Sequence, residues 1–380
     1  MMPRVFYRTL AALLVALPAA ALAQGTLSTQ GFGYPTGQLS TRTLGTGGAL
    51  GEIDPLSVSN PSSLINFGGA ALYFQAEPEY RKLSVNGRSE SSTIARYPLI
   101  LASVPITGSL VAGISATNLL DRTFTTVTRT TVNLSGTDIG STNTFSSDGS
   151  IADVRLALAW APKAWLHLGA AAHAITGDNR LNRTQVFDDS TRFARLVDTN
   201  TVTYVGNAFS GGVELYAGQQ AVFAASYRAG GSMSLKHGDT TLAHAHVPDQ
   251  LALSAAYLGI RGTTLAVRTA HESWSRMNGL GSAAVSIHDG WDTSVGADVL
   301  GPRFANHSLQ LRGGGRWRTL PFGVGAQPVR ERSLSLGVGT LIARGRAAVD
   351  VAGIRAARDA TGVNASESSW TLSFGITVRP

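Results

Sequence analysis

The C-terminal stretch WTLSFGITVRP alternates strictly: Trp370, Leu372, Phe374, Ile376 and Val378 are apolar, whereas Thr371, Ser373, Gly375, Thr377 and Arg379 are polar or small. Successive strand side chains point to opposite faces, so this period of two predicts a strand with one greasy and one polar face. The pattern returns in RSLSLGVGTL, where Leu334, Leu336 and Val338 oppose Ser333, Ser335, Gly337 and Gly339. In HSLQLRGGGRWR, Leu309, Leu311 and Trp317 oppose Gln310, Arg312, Arg316 and Arg318. The same rule places strands near 68–77, 92–104, 108–117, 150–161, 164–176, 205–216, 219–230, 249–260, 263–274, 289–299, 305–318, 331–343, 346–355 and 367–379, about 14 in all.

The links between these segments take turns in length. PIT, PKA, AGQ, RG and ARG are short, while the stretches from Asn118 to Gly149 and from Gly177 to Tyr204 are long. Strands of about 10 residues with one apolar face, joined alternately by short and long links, predict a transmembrane antiparallel β-barrel. Only closure satisfies every strand edge in hydrocarbon, and an even strand count leaves both termini on one side. The expected fold is therefore all-β, with residues 68–380 as the wall. Residues 24–67 precede the first strand and are rich in Gly, Ser, Thr, Asn and Pro, a composition suited to irregular backbone folded inside a lumen as a plug.

The start of the chain sets the compartment. Arg4 and Arg8 precede the apolar run LAALLVALP and the small-residue site Ala21-Leu22-Ala23, so residues 1–23 are expected to be a cleaved signal peptide. Beyond it no apolar run approaches the roughly 20 residues of a transmembrane helix. The absence of cysteine excludes a disulfide scaffold and a thiol-linked lipid anchor. Of 31 basic residues two fall in the leader, and the rest are scattered against 24 acids, a mild balance that argues against nucleic acid as a partner. The expected location is the outer membrane of a Gram-negative-type bacterium, with outer-membrane lipid as the first partner.

One stretch before the first strand carries a more specific signal. GTGGA (Gly45 to Ala49), EIDP (Glu52 to Pro55) and NPSSL (Asn60 to Leu64) run directly into an apolar strand. Over residues 42–76 this resembles the N-terminal hatch of the FadL-type hydrophobic-compound transporters and their relatives, the PorV-like barrels. It departs from them at Pro55, Ser62 and Ser63. The resemblance implies a 14-stranded barrel, a hatch built on Gly47, Gly48, Asp54, Asn60 and Pro61, and a kinked third strand that opens a side exit. It implies uptake of small hydrophobic or amphipathic, fatty-acid-like compounds as the function. A barrel that docks a secreted or surface protein is the alternative, and a general diffusion porin a third reading that a plug disfavours.

Parity then nominates site residues. Tyr97, Leu99 and Leu101 share the inward parity of Tyr73, which would place apolar surface beside the hatch: a pocket for a greasy ligand, or packing against the plug. Asp153, Arg155, Glu214, Arg268, Arg312, Arg316, Arg318 and Asp350 face the lumen on the same reading. They form either ion pairs that hold the hatch or a basic site, centred on Arg312 and Arg316, for an acidic head group. Gly108 and Gly113 mark where the third strand could relax its pairing. The glycines Gly45, Gly47, Gly48 and Gly51 miss the dinucleotide spacing, so no cofactor is expected. His237, His244 and His246 lie in an expected outer loop without a carboxylate cluster, so no metal is expected either. No Gly-x-Ser-x-Gly or His-Glu-x-x-His occurs, and His271 has no identifiable partner, which argues against an enzyme.

Overall fold

The alternating segments form strands longer than the apolar pattern that betrays them. A computed structural model describes residues 29, 31–85, 88–134, 137–280, 286–304, 307–324, 327–360 and 365–379. The expected signal peptide, 1–23, lies outside the described residues. The strands are β1 (Ala71–Val85), β2 (Arg88–Thr107), β3 (Leu110–Asp121), β4 (Phe124–Leu134), β5 (Thr137–Lys163), β6 (Leu166–Phe187), β7 (Leu196–Ala217) and β8 (Ala221–His237). They continue as β9 (Thr240–His246), β10 (Gln250–Ile260), β11 (Thr263–Glu272), β12 (Gly290–Phe304), β13 (His307–Val324), β14 (Gln327–Ile342), β15 (Ala347–Asp359) and β16 (Ala365–Val378).

Fourteen of these strands close into one antiparallel ring. Neighbours in sequence pair throughout, β16 returns to β1, and β8 pairs directly with β10. The two strands outside the ring, β4 and β9, pair only with β5 and β8 and extend hairpins beyond it. The long link after β3, expected as loop, is therefore largely hairpin. Its TFTTVTRTTVNL sequence is rich in β-branched residues, which favour strand, and above the lipid no apolar face is needed to advertise it.

The exterior is the apolar face. Leu334, Leu336, Trp370, Leu372, Phe374 and Ile376 all point outward, with Leu336 75% exposed, while Ser335, Ser369, Ser373 and Thr377 are buried inside. Trp317, Trp370 and Tyr80 stand toward the outer rim of this belt, and Trp160, Trp165 and Tyr257 toward the rim of the short turns. An outward apolar band between aromatic girdles is the exterior of a membrane-spanning barrel.

The described residues before β1, 29 and 31–70, lie inside the ring. Their regular elements are one turn of helix, α1 (Thr41–Gly45), and a 3-10 helix, Pro61–Phe67. Around them the lumen is layered. An outer apolar cluster joins Phe32 to Leu120, Ile151, Met233, Leu320 and Phe322. A charged layer follows, and a second apolar cluster lies near the short turns, where Leu56, Val58, Leu64 and Phe67 of the plug meet Tyr73, Leu99 and Leu101 of the wall.

Candidate functional site

The plug is held by its own polar residues first. Ser40 caps α1, its Oγ accepting from the Thr43 amide at 3.1 Å. The buried Asp54 carboxylate gathers the hydroxyls of Ser40 and Thr43, at 2.5 and 2.9 Å, and the Leu56 amide at 3.4 Å. Asn60 caps the 3-10 helix, its Oδ1 accepting from the Ser62 amide at 3.0 Å, while its Nδ2 donates to the Glu52 carbonyl at 2.8 Å. Pro61 follows at the first helical position, where its fixed φ fits and its missing N–H leaves no gap. These short polar side chains replace the ladder that irregular buried backbone lacks.

Glycine sets how closely plug and wall approach. Gly47 has φ +70°, and a β-carbon there would stand 2.7 Å from the Gly315 amide nitrogen. The Thr46 carbonyl likewise crowds Gly314 on β13, 2.1 Å from where its β-carbon would be. Gly314 thus serves as a flat seat for the Thr46-Gly47 backbone, and a side chain on Gly314 or Gly47 would lift the plug off the wall, whereas Gly313 and Gly315 turn toward Leu336 and Trp317 on the outer face.

Wall charges then pin the plug. Arg268 donates to Glu52 at 3.1 Å and to Asp292 at 3.0 Å, and Ser226 donates to Glu52 at 2.6 Å. Arg155 donates to the Val58 carbonyl. Arg312 is shared by Asp298, at 3.2 Å, and Asp350, at 2.5 Å. Arg316 forms a bidentate pair with Asp292, both distances 2.7 Å. All the inward charges nominated by parity do face the lumen, but Arg312 and Arg316 spend their donors on acids of the wall.

Tyr73, Leu99 and Leu101 are buried against the plug. Tyr73 accepts from the Thr41 amide at 2.9 Å and donates to Gln75 at 2.9 Å, so its hydroxyl anchors the start of α1. Tyr97 departs from expectation. It points outward, 66% exposed, and lies against Phe74 with ring centroids 5.9 Å apart. The cause is a bulge: Gln75 pairs with Leu99 but Glu77 pairs with Arg96, so one extra β2 residue inverts the parity beyond it. Arg96, not Tyr97, enters the lumen.

The charged layer has an aromatic centre that parity did not nominate. Tyr34 of the plug sits among four wall guanidinium groups, Arg81, Arg96, Arg318 and Arg358, at 5.1, 5.0, 4.9 and 4.8 Å from its ring centroid. Its hydroxyl donates to Glu331 at 3.0 Å and accepts from Arg358 at 3.1 Å and from Arg318. Burial holds the phenol above its ordinary pKa against the pull of Arg318, so it stays a neutral donor. Glu79, Glu331, Glu367 and Asp121 pair with these arginines.

Beside this layer the wall is interrupted. The β2–β3 ladder ends at Leu99 and Thr117, whereas β1–β2 pairing continues to Val85 and β3–β5 pairing to Asp121. Residues 88–98 of β2 have no second neighbour strand among the described residues. The gap runs past Thr93, which pairs with Tyr80 of the aromatic girdle, so its lower part faces the apolar belt. Leu119, Leu120 and Asp121 are buried in succession, so the end of β3, still paired with β5, is covered on both faces. There the plug takes the place of β2. Tyr34 exchanges both main-chain hydrogen bonds with Asp121, at 2.7 and 2.9 Å, and Thr36 donates to the Asn118 carbonyl at 2.5 Å. Only the Arg96–Asp121 pair, 2.5 Å, ties β2 to β3 across the gap among the described residues. The expected relaxation at Gly108 and Gly113 is not found: Gly108 is in a turn, and Gly113 is paired on both sides under Leu64.

Two cavities touch the plug. One of about 40 Å³ is bounded by Pro35, Gln38, Trp274, Asp292 and Arg318, and one of about 140 Å³ by Arg42, Leu50, Ile53, Tyr216 and Val222. The first has room for a water or so and the second for a few, since water occupies about 30 Å³. The histidines His237 and His244 sit on the β8–β9 hairpin and bond the Thr201 carbonyl and Ser234.

The fold has counterparts among solved structures. A crystal structure of a Pseudomonas aeruginosa FadL homologue superposes with a TM-score of 0.66 over 91% of this chain and 99% of the other, at 11% identity. The chain has the FadL fold. The toluene transporter TodX of P. putida matches it with a TM-score of 0.55 over 91% of this chain and 99% of the other, at 12% identity. CymD, a monoaromatic hydrocarbon channel, matches with a TM-score of 0.54 over 90% and 97%, also at 12% identity. No protein-family model and no curated protein matches the sequence. The FadL fold is thus kept here on a sequence almost wholly its own.

Proposed function

We propose that the protein is an outer-membrane channel for inward passage of small hydrophobic or amphipathic compounds, gated by the N-terminal hatch. The observation that carries this reading is the gap between β2 and β3 at the level of the lipid belt, covered from inside by the plug. A polar solute gains nothing from an opening toward hydrocarbon, whereas an apolar one leaves through it without re-entering water. The outer apolar cluster around Phe32, Leu320 and Phe322 supplies a first apolar station. Tyr73, Leu99 and Leu101 supply a second, uncovered when Leu64 and Phe67 withdraw. The matched structures of a toluene transporter and a hydrocarbon channel support the same class of permeant.

The test is uptake by cells whose outer membrane lacks other hydrocarbon channels. Expression of the protein is expected to raise uptake of toluene and of a medium-chain fatty acid without raising that of a polar solute of similar size. Equal entry of the polar solute would make the barrel a diffusion porin, and no change for either class would refute a channel for hydrophobic compounds.

A further inference from the structure

The wall devotes residues of seven strands to a cage whose aromatic occupant belongs to the plug. Glu79 and Arg81 come from β1, Arg96 from β2, Asp121 from β3, Arg318 from β13, Glu331 from β14, Arg358 from β15 and Glu367 from β16, and of these Asp121 and Arg318 also touch the plug's main chain, at Tyr34 and Pro35. A plug needs no such site to stay seated, since the Arg268–Glu52 and Arg42–Asp298 pairs, the bond from Arg155 to the Val58 carbonyl and the seat at Gly314 already hold it to the wall. We propose that the Tyr34 cage is a permeant-binding site for small neutral phenols, which the plug occupies with its own phenol until a permeant replaces it. The proposal rests on the channel reading and names the permeant class.

Each feature of the cage selects a phenol over its neighbours in chemistry. Four guanidinium groups about 5 Å from the ring centroid favour an aromatic face, which an alkyl chain lacks. Glu331 accepts a hydrogen bond from the hydroxyl, which in turn accepts from Arg318 and Arg358, so toluene would forfeit three buried hydrogen bonds that a phenol makes. A benzoate has no proton to give Glu331, and the four paired carboxylates balance the four arginines, leaving no excess positive charge to draw an anion. Arg96 Nη2 is buried and has no hydrogen-bond partner among the described residues, a donor that neither Tyr34 nor the acids use. The approach is apolar from outside, through the cluster of Phe32, Leu83, Leu120 and Leu320.

Occupancy and opening are linked through one residue. The Tyr34 side chain fills the cage while its amide and carbonyl close the edge of β3 at Asp121. A phenol that displaces the side chain draws Tyr34 away from Asp121 and uncovers the gap that the same molecule then leaves by.

The probe is p-cresol, the side chain of tyrosine as a free molecule, compared with toluene and 4-methylbenzoate. Full-length Tyr34→Ala protein in detergent, shown to be folded by heat-modifiable migration on gels, is expected to bind p-cresol at least tenfold more tightly than either comparison compound by calorimetry. In the wild-type protein, p-cresol is expected to speed amide exchange at Tyr34 and Asp121, and toluene at the same concentration is not. Equal binding of toluene and p-cresol by Tyr34→Ala, or no binding by the folded variant, would overturn the proposal, as would exchange unmoved by p-cresol. If Tyr34→Ala does not fold, Tyr34→Phe keeps the ring and loses only the hydroxyl; p-cresol should then speed exchange at a lower concentration than in wild type, and an unchanged concentration overturns the proposal. Cells that take up toluene while p-cresol fails these binding tests refute the phenol site alone. Cells that take up neither refute the channel alone, because binding to the Tyr34→Ala cage is measured without transport.

Discussion

The two sides of the ring are closed in different ways. From β5 to β8 the strands complete one another: β6 pairs with β7 from Leu166 to Gln185, and with β5 over nearly the same length. Between β2 and β3 the ladder stops at Leu99; Tyr34 and Thr36 of the plug bond the freed edge of β3, and the Arg96–Asp121 side-chain pair spans the gap. Backbone groups facing hydrocarbon must be paired; the first side meets that demand by its ladder alone, and on the second the β3 edge meets it through the plug. They differ in what can undo them. The β5–β8 side is held by its own ladder, whereas on the proposed reading the β2–β3 side opens when the plug moves.

Removing the plug breaks the comparison most completely. Deleting residues 25–62 is expected to leave a barrel that inserts and migrates heat-modifiably, since every wall strand begins later, but with much higher single-channel conductance than the closed intact protein. Equal conductance in planar bilayers would mean the segment does not close the lumen.

A smaller change targets the tie across the gap. Asp121→Asn leaves Arg96 buried with Glu79 as its remaining strong partner, and loss of one member of a buried pair costs about 3 kcal/mol at the low end of the usual range. Amide exchange should rise at residues 117–121 while residues 166–185 stay protected. A uniform rise over both regions would mean that the two sides share one stability.

Thr36→Val removes a single bond, the one to the Asn118 carbonyl, and should cost about 1 kcal/mol at the same site. Combining it with Asp121→Asn should lower protection more than the sum of the two changes if both act on one seam, a coupling that a double-mutant cycle measures.

Tyr97→Ala should have the least effect. The residue faces lipid and loses only its contact with Phe74, worth about 0.5–1.5 kcal/mol, so toluene uptake should stay at the wild-type level. A fall in uptake at normal barrel levels would place Tyr97 on the exit path itself.

The sequence carried the wall because lipid enforces parity. A charge turned toward the hydrocarbon costs about 2–4 kcal/mol at the midplane, so Leu334, Leu336, Trp370 and Leu372 could be assigned outward and Arg268, Arg312 and Asp350 inward from alternation alone. The plug was readable for a related reason, since buried irregular backbone needs Ser40, Asp54 and Asn60 as local partners and Gly47 as a close contact. What alternation could not reveal was any place where it slips. One extra residue opposite Gln75 turned Tyr97 outward and Arg96 inward, and register across two strands is a property of the pair, not of either segment. The cage around Tyr34 left a partial trace, because Glu77, Glu79 and Arg81 alternate along β1 with Pro78 and Tyr80. Their meeting with Arg318, Glu331, Arg358 and Glu367 depends on ring closure, which brings β1 beside β16 across nearly the whole chain. Local alternation thus determined which face each strand offers. Only the closed tertiary structure decided which charges meet, and that the last stretch of β3 is completed by the plug rather than by the wall.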